Sequence, residues 1–217
     1  MSSEKLIEKT RLYVVKEMAD DASGHDWWHI YRVWSLAKKM AQTENANRTI
    51  VELSALLHDI ADWKFNGGDE SAGSKQAARW LSNNKADPKI IEAVCEIIAT
   101  LSYKGANVST PMRTIEGKVV QDADRLDAIG AVGIARTFAY GGNKNRLIYH
   151  PAEPPIMHQS FEDYKKNTGH TINHFYEKLL LLKGRMNTQS AKKLAEKRHL
   201  FMEEYLDRFF KEWSGDA

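Results

Sequence analysis

Residues 50–61 read Ile-Val-Glu-Leu-Ser-Ala-Leu-Leu-His-Asp-Ile-Ala, and the reading of the fold turns on them. A stretch apolar on nearly every helical face is a core helix. At its end stand His58 and Asp59, adjacent, with no basic residue in the stretch to neutralise the carboxylate. An ionised carboxylate in such surroundings costs several kcal/mol or more unless it is paired or coordinates a metal. The pair therefore asks for a cation.

The same helical spacing continues on either side. Ile30, Val33, Trp34, Ala37 and Ala41 fall on one stripe, as do Ile90, Val94, Ile97, Ile98 and Leu101. Asp87-Pro88 reads as an N-cap followed by a first-turn proline, and Gly141-Gly142 end a helical stretch that begins near Asp124. Strand-like alternation is scarce, so the chain is all-α. Near the C-terminus Leu194, Ala195, Phe201, Met202, Tyr205, Leu206, Phe209 and Trp213 form a stripe that covers the core or a second subunit; monomer and homodimer both fit. No repeat, low-complexity tract or linker divides the chain, and residues 1–217 read as one domain. Residues 141–159 hold three of the five prolines, Pro151, Pro154 and Pro155. Irregular segments of that length are uncommon inside compact domains, and this one is either a substrate lid or a structural wrap.

Composition narrows the partners. With 31 basic against 29 acidic residues the net charge is +2, without the electrostatic footprint that draws nucleic acid or acidic membranes. Small molecules are the expected ligands. The single cysteine, Cys95, cannot form an intrachain disulfide, and Met1–Arg11 alternates in charge where a secretory signal would be apolar, which points to the cytoplasm. No apolar run approaches the roughly 18–20 residues that span a bilayer.

Neighbouring side chains on a helix point about 100° apart, so His58 and Asp59 share an ion only over the wedge between them, with other helices adding ligands. His25 and His29 lie four apart in Gly-His-Asp-Trp-Trp-His, the spacing of one helical face. Asp124 lies among Val119, Val120, Ala123, Leu126 and Ile129, the signature of a largely buried element. Mixed imidazole and carboxylate donors suit Mn, Fe, Co, Ni or Zn better than an all-oxygen cage.

The order His29, then His58-Asp59, then Asp124 on an all-helical chain resembles the HD-domain metal-dependent phosphohydrolases. The segments around His25–Val33, His58–Gly68, Gly117–Gly142 and Tyr176–Trp213 are similar to their bacterial YpgQ/YedJ-like branch. The resemblance covers nearly the whole chain. It implies an HD-domain helical bundle in which His29, His58, Asp59 and Asp124 hold one divalent ion (Mn, Ni, Co, Fe, Mg or Zn) among core helices. It also implies a nucleotide substrate, with (deoxy)nucleoside triphosphates cleaved to monophosphate and pyrophosphate. A monophosphate phosphatase and a non-catalytic nucleotide sensor are the rival readings. A di-iron oxygenase would need a second-metal motif that His150, His158, His170 and His174 do not form. A zincin peptidase would need a glutamate where Asp26 stands.

Two residues are assigned to catalysis. Asp62 lies one short turn beyond Asp59, where some relatives carry a catalytic acid, and is read as directing the attacking water; the competing reading is a helix cap. Lys64, in Ala-Asp-Trp-Lys-Phe-Asn-Gly-Gly, is read as a phosphate contact beside a loop with available backbone N–H groups. Lys104, Lys144 and Arg146 are further candidate phosphate cations, against their reading as solvated surface groups. Arg125 and Asp127 flank Asp124 and either touch substrate or pair with a neighbouring helix. His25 is a substrate or site-supporting group, or else a capping or core histidine. Trp27, Trp28, Trp34 and Trp63 read as core packing, with base stacking the alternative, and His170 and His174 as an exposed polar face. Gly130 and Gly133 are read as letting helices approach closely.

Overall fold

The computed structural model describes residues 2–18, 26–61 and 69–216. Among them there is no strand. The helices are α1 (Ser3–Glu17), α2 (Trp27–Thr43), α3 (Arg48–Leu57), α4 (Ala72–Asn83), α5 (Pro88–Thr100), α6 (Ile115–Asp127), α7 (Gly130–Asn143), α8 (Phe161–Lys165), α9 (Asn173–Glu177) and α10 (Gln189–Ser214), with a 3-10 segment at Leu179–Arg185. No helix of the described residues is long and apolar enough to cross a membrane. The chain forms two compact units, Met1–Tyr103 with Thr110–Ala123, and Lys104–Ser109 with Asp124–Ala217.

The first unit is built around α3. Asn47 starts it, its side chain accepting from the backbone N–H groups of Thr49 and Ile50. A helix apolar on all sides needs neighbours on all sides, and α1, α2 and α5 pack against it. Every residue from Val51 to Leu57 is buried. Leu53, Leu56 and Leu57 meet Ile30 of α2, Leu81 of α4, and Val94 and Ile98 of α5 in one core. Each such side chain contributes about 1.5–3 kcal/mol on burial. The one charged residue in this row, Glu52, accepts hydrogen bonds from the Trp34 indole at 2.7 Å and from the Arg48 guanidinium. Asp87 and Pro88 open α5 as their order predicts, with the Asp87 carboxylate accepting from Lys89 N–H. In α6, the buried Gln121 amide donates to the carbonyls of Leu101 (3.3 Å) and Thr110 (3.0 Å), so this helix anchors the irregular stretch between α5 and itself.

The stretch read as one helix from Asp124 to Gly142 is two. Ile129 is extended and Gly130 has φ +77°, a left-handed conformation that costs glycine little and breaks the helix. A Cβ on Gly130 would come within 2.9 Å of the Arg198 side chain. At Gly133 it would lie 2.3 Å from the Ala128 carbonyl oxygen. The Gly133 contact is local, to the connection that leads into α7, where the sequence had suggested close approach between helices; the Gly130 contact is to α10.

In the second unit α10 packs on α7 and on the 3-10 segment. Thr188 caps its start and Gly215, at φ +80°, ends it. The stripe read from its sequence divides: Ala195, Met202 and Leu206 are buried, whereas Leu194, Phe201 and Trp213 are exposed. Residues 141–159 begin in the last turn of α7 and then run irregularly, tied along their length to the same unit. Arg146 donates to the Asn167 carbonyl at 2.7 Å, and Leu147 and Ile148 accept from the N–H groups of Thr171 and Ile172. The Glu153 carbonyl accepts from His170 Nε2 and from the Asn173 amide, each at 3.0 Å. His170 is therefore a buried strut for this segment, in place of the exposed position its spacing suggested.

Candidate metal centre

The site begins with a cap. Asp26 precedes α2 with extended backbone, and its carboxylate accepts from His29 N–H at 2.9 Å. That bond starts the helix at Trp27 and sets His29 in its first turn, fully buried. It also engages the carboxylate that a peptidase reading would need as a general base. His58 arrives from the other side, as the residue that terminates α3. Its Nδ1 lies 2.9 Å from the Ala55 carbonyl, one of the helix-end carbonyls that the ending helix leaves available. Donating there, Nδ1 carries the proton and the Nε2 lone pair faces inward.

Three donor atoms then converge. His58 Nε2 is 3.3 Å from His29 Nε2, and Asp59 Oδ2 is 3.3 Å from His29 Nε2 and 3.5 Å from His58 Nε2. Four ligands placed tetrahedrally at bond lengths of about 2.1 Å stand roughly 3.4 Å apart, so the triangle fits one face of a small divalent ion's shell. Lone pairs and a carboxylate at this spacing repel unless a positive centre lies between them. The C-terminal end of α3 adds negative potential at the same point. The imidazoles are shut away, with side-chain exposures of 0% for His29 and 1% for His58, while Asp59 is 15% exposed. Asp59 is thus the one member of the triangle that reaches solvent. His29, His58 and Asp59 form the one such donor group among the described residues.

The other candidates fall as follows. Asp124 is half-buried in the last turn of α6 and belongs to the second unit. In that unit Arg125 is buried and donates to the Arg185 carbonyl, and Asp127 is buried and accepts from Arg136 at 3.1 Å. Arg198 donates to the Leu126 carbonyl; burial lowers its pKa, and the nearby Asp127 carboxylate works against that shift. Lys104 stands 5.2 Å from the Phe161 ring centre, and Lys144 and Arg146 each stand 5.8 Å from that of Tyr140. His25, Asp62, Trp63 and Lys64 lie outside the described residues. Trp27 and Trp34 are half-buried against the core, as expected, but Trp28 is 61% exposed and touches Tyr31 edge-on.

Two contributors have no clear signature in the sequence. Ala55 acts through its carbonyl, for which the available signal is its place three residues before a histidine at a helix end. Arg185 gathers the carbonyls of Gly105, Ala106 and Val108 on one guanidinium and so shapes the 105–108 loop of the second unit.

A model of the HD domain matches residues 27–129, from the first turn of α2 to the break before α7, a span that contains His29, His58, Asp59 and Asp124. A solved HD-superfamily hydrolase from Bacillus thuringiensis is 46% identical, with 98% of this chain and 99% of that one covered and a TM-score of 0.75. The chain belongs to the HD-domain family, within the HD-superfamily hydrolases. A solved protein from Lactobacillus plantarum is 38% identical over the whole of both chains, with a TM-score of 0.89. The uncharacterized protein YpgQ of Bacillus subtilis is 36% identical over 99% of this chain and 97% of its own length. YpgQ has been solved in complex with ADP, and that structure matches with a TM-score of 0.77 at 36% identity, covering 98% of this chain and 97% of that one.

Proposed function

We propose that the chain is a metal-dependent phosphohydrolase of nucleotides, and that it cleaves (deoxy)nucleoside triphosphates to the monophosphate and pyrophosphate. The observation that carries this reading is the His29–His58–Asp59 triangle, three donors at ligand spacing with both imidazoles buried. A divalent ion bound there supplies Lewis acidity, polarising a phosphoryl oxygen and making water a better nucleophile near neutral pH. The chain supplies the rest. His29 and His58 hold neutral Nε2 donors inward, the Ala55 carbonyl keeps His58 in the required tautomer, and Asp59 is the anionic donor, the one that reaches solvent. Asp124 is assigned as the fourth donor. Asp62 orients the attacking water and accepts its proton, and Lys64 holds the polyphosphate, with Lys104, Lys144 and Arg146 as further cations for it. The ADP complex of YpgQ supports a nucleotide as the ligand class, and the resemblance to the YpgQ/YedJ-like branch supports the triphosphate and the bond.

A nucleotide panel assayed with Mn, Co, Ni and Mg, resolving orthophosphate from pyrophosphate, tests the reading. Pyrophosphate and nucleoside monophosphate in equal amounts are expected. Orthophosphate released from monophosphates would make the protein a phosphatase, and substrate that persists for hours with every metal would make it a binding protein. Asp62→Asn should lower turnover by about 100- to 10,000-fold at unchanged metal content, the range for losing a general base. Full turnover in Asp62→Asn, with His58→Ala inactive, would move the water-directing role elsewhere.

A further inference from the structure

Asp124, the fourth donor proposed above, stands where α6 comes apart. The Ala128 N–H is shared between the carbonyls of Asp124 (3.3 Å) and Arg125 (3.2 Å), and the Ile129 N–H donates to the Leu126 carbonyl at 3.2 Å. Bonds that reach back three residues tighten and close a helix end. Ile129 is then extended and Gly130 left-handed, so the helix does not run on past its last turn. Backbone bonds alone leave the aim of the Asp124 side chain loosely set.

Side chains from the same unit hold that turn. Arg125 donates to the Arg185 carbonyl, and Asp127 accepts from Arg136 of α7 at 3.1 Å. Arg198 of α10 donates to the Leu126 carbonyl, two residues beyond Asp124. This third brace is also built into the break itself. The Arg198 stem lies over Gly130, where an added Cβ would come within 2.9 Å of its Cγ and 3.0 Å of its Cβ. Glycine at this position thus permits the left-handed turn and leaves room for the arginine that grips it. The guanidinium is a half-buried cation at the negative end of the α6 dipole, with the Asp127 carboxylate nearby. We propose that Arg198 is a positioning residue for metal binding: by holding the Leu126 carbonyl it fixes the last turn of α6 and so the direction of the Asp124 carboxylate. This role rests on Asp124 being a ligand, as proposed above.

Mn affinity of the full chain, measured by equilibrium dialysis on the parent, Asp124→Asn, Arg198→Met and the double variant, tests it. Arg198→Met keeps an apolar stem over Gly130 and removes the guanidinium. Mn binding should weaken about tenfold in Arg198→Met, at the low end of the range for partners that orient metal ligands, and further in Asp124→Asn. Added to Asp124→Asn, Arg198→Met should change the affinity by less than about twofold, because a residue that acts through Asp124 has nothing left to aim. Equal losses in the two backgrounds would overturn the proposal, leaving Arg198 a structural role. An unchanged affinity in Arg198→Met beside a loss in Asp124→Asn would overturn it while keeping Asp124 a ligand, and an unchanged affinity in Asp124→Asn would overturn both assignments. Circular dichroism and urea unfolding check the fold of each variant. If Arg198→Met does not fold, Arg198→Lys, which keeps a cationic donor, carries the same cycle with an expected loss of about threefold.

Discussion

Two imidazole nitrogens 3.3 Å apart, with a carboxylate oxygen at 3.3 and 3.5 Å from them, are the residue-level fact on which the function rests. Such a triangle is electrostatically incomplete by itself. Asp59→Asn removes its negative charge while keeping its shape, and should weaken Mn binding by about 10- to 100-fold or more with helicity unchanged, as read by metal content after dialysis. Glu52 presents a different case of a carboxylate in a core helix. Its partners are ordinary donors, the Trp34 indole and the Arg48 guanidinium, and its role is structural. Glu52→Ala would strand the indole N–H and should cost about 1–3 kcal/mol, measured by urea unfolding, with little effect on metal affinity. Both acids stand in the same apolar stretch of sequence, and what distinguishes them is the neighbour each one meets.

At the scale of elements, the caps decide where the donors sit. The four-residue spacing of His25 and His29 suggested one helical face running past Asp26. The structure starts α2 at Trp27 and makes Asp26 the cap. Asp26→Ala should therefore lower stability by about 1 kcal/mol in thermal or urea unfolding. It should also weaken metal binding, since His29 lies in the first turn that the cap orders; a stability loss with unchanged affinity would show that packing against α3 holds His29 alone. The break between α6 and α7 was missed for a related reason. Helical periodicity persists across it, and the signal lay in a single glycine whose positive φ is a backbone property without a periodic trace. For α10 the apolar stripe was read correctly as helical, but periodicity cannot say which of its large residues find a partner. Met202 and Leu206 are buried within the unit, and Phe201 is left 46% exposed.

For the whole molecule, metal and fold should be linked, because a preset triangle in the folded chain has no counterpart in the unfolded one. Mn at 100 times its dissociation constant should stabilise the fold by about 2.7 kcal/mol, seen as a rise in Tm that chelator reverses and that Asp59→Asn cuts to about 1.4 kcal/mol or less. The all-helical class, the core role of residues 50–57, the His58-Asp59 pair and the need for a cation followed from the sequence, because burial and helical period are local properties of residue order. The family followed too, from the order of four donors. That His29 meets His58 and Asp59 at ligand spacing was decided by tertiary structure, since a contact between residues 29 positions apart depends on how α2 packs against α3. The same holds for the His58 tautomer, settled by the Ala55 carbonyl, and for the burial of His170 under the 141–159 segment. Spacing along the chain names the residues able to do chemistry; packing decides which of them share a point in space, because distance between helices is written in neither one's sequence alone.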